Sequence, residues 1–248
     1  MNFLDVCKLH KSFGGVRAVD GVSFSVAPGE LLALIGPNGA GKSTLFNLLN
    51  GQLHPDQGQI LLEGQPLEGL APREIWARGV ARTFQIAQTF ASLTVLENVQ
   101  MVLLSASRQL FRFWQPAAQH QTLHAMELLA QVGMQGQAAR ACSDLAYGDV
   151  KRVELAMALA STPKLLLMDE PTAGMAAPER LALMTLVRQV ARERRMAVLF
   201  TEHSMDVVFG FAQRVLVLAN GKIIADGDPQ QIRQHEQVQR VYLGVAAT

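Results

Sequence analysis

The run Gly36-Pro37-Asn38-Gly39-Ala40-Gly41-Lys42-Ser43-Thr44 constrains this chain more than any other feature. It fits the pattern G-x-x-x-x-G-K-[ST], and residues 30–35 before it are almost wholly apolar. A short apolar run that ends in glycines reads as a buried parallel strand feeding a loop, and residues 42–50 should form the helix that follows. The glycines let the backbone curl until successive N–H groups point inward, while the helix turns its positive N-terminal end toward the same point. The segment therefore predicts a phosphate cradle. Lys42 adds a point charge near the outer phosphates, and the Ser43 hydroxyl is placed to ligate Mg²⁺. An ordinary glycine-rich turn is the alternative, and the full match to the pattern disfavours it.

Three more apolar runs, 79–84, 164–168 and 197–201, each lead straight into polar residues, as strands do when their carboxyl ends form a site. Residues 23–26, 59–63 and the pair 214–219 and 222–225 read as antiparallel strands; Asn220-Gly221 is a strong type I′ hairpin signal. Between 86 and 161 the strand signals fade and helical periodicity takes over, as in 122–132 and 151–160. The predicted fold class is α/β, with a mixed sheet core on the phosphate loop, an antiparallel β subdomain and an inserted helical subdomain. One domain would span 1–248, with its core at about 1–85 and 162–248 and the helical subdomain at about 86–161.

The 248 residues carry 22 Lys plus Arg against 21 Asp plus Glu, so the overall field gives no electrostatic case for a nucleic-acid partner. Cys7 and Cys142 match no metal or C-x-x-C spacing and predict two reduced thiols in a reducing compartment. The first residues lack a basic region followed by an apolar stretch, and no apolar run approaches the roughly 18 residues that span a bilayer. The expectation is a cytosolic protein, or one attached to a membrane through other chains.

Residues 164–168 deliver Asp169-Glu170 to a strand's carboxyl end, near the phosphate loop if the two strands are parallel neighbours. Asp169 would then orient Mg²⁺, and Glu170 would polarise the attacking water. A buried or capping acidic pair is the bland alternative, and the phosphate loop upstream decides against it.

Taken in order, residues 36–44, Gln85, Leu145-Ala146-Tyr147-Gly148-Asp149, residues 165–171 and His203 resemble the motifs of ATP-binding-cassette ATPases over essentially the whole chain. The resemblance implies ATP and Mg²⁺ as ligands. It makes Gln85 the glutamine that contacts Mg²⁺ or the water, and His203 the histidine that hydrogen-bonds the γ-phosphate. Phe13 falls where the family stacks an aromatic on adenine, with a simple core Phe as the alternative. Ala146, Tyr147, Gly148 and Asp149 fall where the family binds the γ-phosphate of the nucleotide held by the opposite subunit. Here the sequence departs from the usual Leu-Ser-Gly-Gly-Gln, because Ala146 has no hydroxyl. Residues 173–177 depart too, with alanine where many cassettes carry aspartate.

The details are similar to one branch of that family, the importers of branched-chain and other hydrophobic amino acids, with relatives for urea and short amides. Residues 82–85, 93–99, 173–175 and the ending 221–244 carry this likeness. It implies a second cassette subunit, expected to be a different chain, integral membrane permease subunits and, indirectly, a solute-binding protein, with this chain peripheral at the cytoplasmic face. Residues 86–98, with Ile86, Phe90, Leu93 and Val95, are the expected contact with a membrane subunit. The run Phe111-Arg112-Phe113-Trp114 either extends that contact surface, touches the lipid interface or fills the subdomain core, and the core is the favoured expectation because aromatic clusters more often do so. The rival readings are a cassette of a lipid-type exporter and a soluble cassette ATPase outside transport.

Overall fold

The computed structural model describes residues 2–83, 89–106 and 121–242. Among them, ten strands form two sheets. The first contains β1 (Leu4–Phe13), β2 (Val16–Val26), β4 (Gln57–Leu62) and β5 (Gln65–Pro66), in the order β2-β1-β4-β5, all antiparallel. The second contains β3 (Leu31–Ile35), β6 (Val80–Thr83), β7 (Leu165–Asp169), β8 (Ala197–Thr201), β9 (Arg214–Ala219) and β10 (Lys222–Gly227). Its order is β10-β9-β3-β8-β7-β6; only the edge pair β10 and β9 is antiparallel. The hairpin between those two turns at Asn220 and Gly221, with φ of 48° and 77°, as a type I′ turn requires.

The phosphate-loop strand and the strand of the acidic pair are parallel but not neighbours. β8 lies between β3 and β7, so the residue at its end, Thr201, stands where the two could have met. A strand also forms at β1, a segment not among the expected strands. A bulge at Cys7 and Lys8, with Lys8 at φ 46°, shifts the register against both neighbouring strands. The buried face therefore slips from Leu4 and Val6 to Leu9, which breaks the alternation that marks a strand. Gly58 accommodates the bulge, since a Cβ there would lie 2.4 Å from the Lys8 carbonyl oxygen.

The parallel strands are buried on both faces, which is why they read as unbroken apolar runs. Leu32 and Leu34 of β3 face a cluster formed with the antiparallel sheet and with Leu45, Phe46, Leu48 and Leu49 of α1 (Lys42–Leu49). Ala33 and Ile35 face the opposite cluster. That second cluster runs without interruption into α3 (Val95–Ala106), α4 (Thr122–Gln131) and α5 (Tyr147–Leu159) through Val99, Leu128 and Val153. On α5, Val153 and Ala156 are buried, Ala160 is buried at its C-cap and Val150 is half-buried. A short helix α2 (Pro72–Ala77) precedes β6. Helices α6 (Ala177–Arg194), α7 (Met205–Phe211), α8 (Pro229–Gln234) and α9 (Glu236–Tyr242) complete the chain.

Val95, expected at a partner surface, is fully buried, because it begins α3 and packs into the second cluster. Phe90 is exposed. Asn98, itself buried, holds the turn that carries Phe90: its Oδ1 accepts from Phe90 N at 2.8 Å, and its Nδ2 donates to Thr94 O at 2.9 Å. Ile86 and the run 111–114 lie outside the described residues.

Candidate nucleotide site at the carboxyl edge of the sheet

The loop after β3 is held by close backbone approaches that only glycine allows. A Cβ on Gly36 would stand 2.1 Å from the Leu218 carbonyl oxygen. One on Gly41, at φ +107°, would stand 2.1 Å from the Ala18 carbonyl oxygen. Ala40 N donates to Pro37 O at 3.2 Å, and Ala40 O accepts from Gly221 N at 3.0 Å. The loop is thus clamped between β2 and the β9–β10 hairpin, while Asn38, Gly39 and Ser43 face solvent and Pro37 and Thr44 are half-buried. Lys42 is buried beneath it, with Nζ donating to Gly36 O at 2.7 Å and Pro37 O at 3.2 Å. Desolvation pulls the Lys42 pKa below its ordinary value, and the negative charges of Glu170 and Asp169 oppose that shift.

Neighbouring strands hold the acidic pair, Asp169 by its carboxylate and Glu170 by its backbone N–H. Asp169 accepts from the Thr201 hydroxyl through Oδ1 at 2.8 Å and from Arg82 Nη2 through Oδ2 at 2.9 Å. Glu170 sits at φ +47°, a conformation that costs a residue with a Cβ about 1–2 kcal/mol. Its N–H is tied to Thr201, at 3.0 Å to the hydroxyl and 3.2 Å to the carbonyl. The turn directs the Glu170 side chain to His203, whose Nε2 lies 3.0 Å from Oε1. Glu202 braces the same region from within. Buried itself, it accepts from Thr172 N at 2.9 Å and Thr172 Oγ1 at 2.6 Å, and its other oxygen accepts from His203 N at 3.2 Å.

The structure therefore brings Lys42, Asp169, Glu170 and His203 to one edge of the sheet. Arg82, Thr201 and Glu202 belong to the same cluster and were not anticipated as site residues. The available signal was a polar residue ending or interrupting an otherwise apolar strand, at Arg82 in β6 and at Thr201 in β8. Gln85 lies outside the described residues.

Phe13 does not fill a core. It is 47% exposed, at the tip of the β1–β2 hairpin, opposite Val16, with Lys11 Nζ 5.7 Å from its ring centroid. Five residues on, Ala18 makes the close approach to Gly41 that clamps the loop.

Ala146 is the N-cap of α5, extended at φ −64° and ψ 151°, and it supplies no side-chain cap. Tyr147 is exposed, while Gly148 and Asp149 are half-buried in the first turn. Asp149 N donates to Ala146 O at 3.0 Å, and the first amides of the helix have no acceptor within it. A Cβ on Gly148 would lie 3.4 Å from Met175 Cε, and one on Gly174 would lie 3.9 Å from Tyr147 Cε1. The two segments that depart from the usual cassette motifs thus pack against each other.

A glycine-rich loop over a buried lysine and an acidic pair, both at the carboxyl edge of a largely parallel sheet, match the nucleotide-hydrolysing class of phosphate-loop proteins. The family model "ABC transporter" matches residues 19–173, and "Branched-chain amino acid ATP-binding cassette transporter" matches residues 222–248. The chain belongs to the ABC transporter family and is an ATP-binding ATPase of that family. It is 39% identical to the high-affinity branched-chain amino acid transport ATP-binding protein LivG of Escherichia coli K12, over 98% of each chain. It is 37% identical to BraF of Pseudomonas aeruginosa, a protein of the same description, again over 98% of each. The ADP conformation of a cassette from an ABC transporter superposes with a TM-score of 0.88 at 31% identity, covering 99% of this chain and 100% of that one. A nucleotide-free cassette superposes with a TM-score of 0.87 at 29% identity, over 100% of both. Among the described residues, no helix is long and apolar enough to cross a membrane.

Proposed function

We propose that this chain is the ATP-hydrolysing subunit of an importer for branched-chain or other hydrophobic amino acids, acting through separate membrane subunits. The observation that carries the proposal is the likeness, along nearly the full length, to LivG and BraF, which are described as branched-chain amino acid transport proteins. The position is peripheral, at the cytoplasmic face. The partners are a second cassette subunit, permease subunits and, through them, a solute-binding protein.

In this reading ATP lies with its phosphates in the loop 36–44, its adenine on the Phe13 face and Lys42 at the outer phosphates. Among the described residues no group of three His, Cys, Asp or Glu could hold a metal unaided. The Ser43 hydroxyl and the Asp169 carboxylate are hard oxygen donors, a pair that suits Mg²⁺ when phosphate oxygens and water complete its shell. When bound, Mg²⁺ neutralises charge that develops on the phosphates, and Gln85 is assigned beside it. Glu170 orients and polarises the attacking water, and His203 donates toward the γ-phosphate once it leaves the Glu170 carboxylate. Residues 146–149 present the N-terminal end of α5 to the nucleotide of the second cassette, with Ala146 lacking the usual hydroxyl. Such an arrangement makes the two composite sites unequal when the second cassette differs.

The test is uptake. Cells lacking this chain are assayed for radiolabelled leucine, isoleucine, valine and urea, with the wild type or Glu170→Gln restored. Loss of leucine, isoleucine and valine uptake that only the wild type rescues supports the reading. Unchanged amino acid uptake with lost urea uptake would reassign the solute. No loss of uptake of any of them would remove the transport role.

A further inference from the structure

Arg82 stands outside the roles just given, yet its guanidinium joins three parts of the site. It comes from β6, adjacent to β7, with Arg82 opposite Leu167 and Thr83 opposite Met168. Its Nη2 donates to Asp169 Oδ2 at 2.9 Å. Its Nη1 donates to Asn47 Oδ1 at 2.6 Å, with Gln52 Oε1 at 3.3 Å. The guanidinium carbon also lies 5.6 Å from the centroid of the Phe46 ring. Asn47 and Phe46 belong to α1, the helix that carries Lys42 and Ser43 at its start.

The side chains of this pair are 10% and 17% exposed, so water contributes little to holding the carboxylate. Among the described residues the Asp169 carboxylate has one donor on each oxygen, Thr201 on Oδ1 and Arg82 on Oδ2, and the two together fix its plane. Those two donors use about two of the roughly four lone-pair directions that a carboxylate offers. Two effects oppose each other here. A fixed carboxylate lowers the cost of organising a cation's ligands, whereas the nearby positive charge of Arg82 repels the same cation. The anchoring on α1 favours the first. A guanidinium held by Asn47 and packed on Phe46 keeps a fixed plane, and Lys, with a compact ammonium, cannot reproduce two separated donors in that plane.

We propose that Arg82 is a positioning residue that sets the Asp169 carboxylate for Mg²⁺ and keys it to the phosphate-loop helix through Asn47. This rests on the reading of Asp169 as the carboxylate that serves Mg²⁺. The test is binding of a fluorescent ATP analogue to the full chain, titrated with Mg²⁺ and repeated in EDTA. Arg82→Gln should raise the Mg²⁺ concentration for half-maximal enhancement about tenfold, with affinity in EDTA unchanged. Arg82→Lys should recover only a small part, and Arg82→Gln added to Asp169→Asn should change nothing further. Should Arg82→Gln fail to fold, Arg82→Lys and Asn47→Ala carry the same comparison, each with a smaller rise. A shift in Asp169→Asn with none in the Arg82 variants would overturn the role of Arg82 alone. A lower Mg²⁺ requirement in Arg82→Gln would make Arg82 a competing charge and overturn it too. If Asp169→Asn itself shows no shift, the reading of the site falls and the proposal with it.

Discussion

His203 Nε2 and Glu170 Oε1 stand 3.0 Å apart across 33 residues of sequence. Glutamine keeps the shape of Glu170 and an oxygen for His203 while losing the base. Glu170→Gln is therefore expected to lower ATP turnover by about 10²–10⁴-fold with ATP affinity retained. Steady-state hydrolysis beside equilibrium binding checks this, and turnover equal to the parent would remove Glu170 from the role of base.

Gly41 and Gly39 both have positive φ, +107° and +79°, but only Gly41 faces a neighbouring backbone, at 2.1 Å from its built Cβ. Gly39→Ala should cost only the conformational strain, about 1–2 kcal/mol. Gly41→Ala must displace β2 or the loop and should abolish nucleotide binding. Urea denaturation and ATP-analogue binding on the two variants give the comparison.

Because the Phe13 ring is exposed and caps no core, Phe13→Ala should change folding stability by no more than about 0.5 kcal/mol. Stacking on a base is worth about 1–3 kcal/mol, so ATP should bind about 5- to 150-fold more weakly. Phe13→Tyr should bind as the parent does. Isothermal titration with ATP and with triphosphate alone separates adenine from phosphate contributions, and equal losses for both would place Phe13 elsewhere.

Ala146 has the extended backbone of an N-cap and no side chain to cap with. Ala146→Ser should stabilise the fold by about 1 kcal/mol, read from the urea midpoint at constant m-value. A fall in stability would mean that the neighbours of Ala146 leave no room for the hydroxyl.

Acid should destabilise the protein through fixed surface carboxylates. The Lys11 side chain, then the Ser12 N–H, hold the Asp56 carboxyl below the ordinary range. The Thr94 N–H, then its hydroxyl, do the same for Glu97. A group whose pKa is lower in the folded state takes up its proton more readily when unfolded. Its stabilisation is complete above about pH 4–4.5 and lost as pH falls through the folded value. The urea midpoint should drop below that range, and drop less in Asp56→Asn/Glu97→Gln, which begins lower at neutral pH.

What the sequence determined by itself is local. Residues 36–44 carry their own geometry, because glycine at positive φ and a lysine six residues after Gly36 are backbone requirements met within one loop. Asn220-Gly221 fixes its hairpin for the same reason, and β7 and β8 declare themselves as apolar runs because burial on both faces leaves polar residues only at their carboxyl ends. Tertiary structure decided the rest. Only the strand order puts β8 between β3 and β7 and so makes Thr201 the shared partner of the pair, donating its hydroxyl to Asp169 and accepting from the Glu170 N–H. Only packing brings Arg82 to a carboxylate 87 residues away and Glu202 to Thr172, and only pairing shows that β1 continues through its bulge at Lys8. Such contacts depend on which distant segments meet, and a pattern of neighbours along the chain does not encode that.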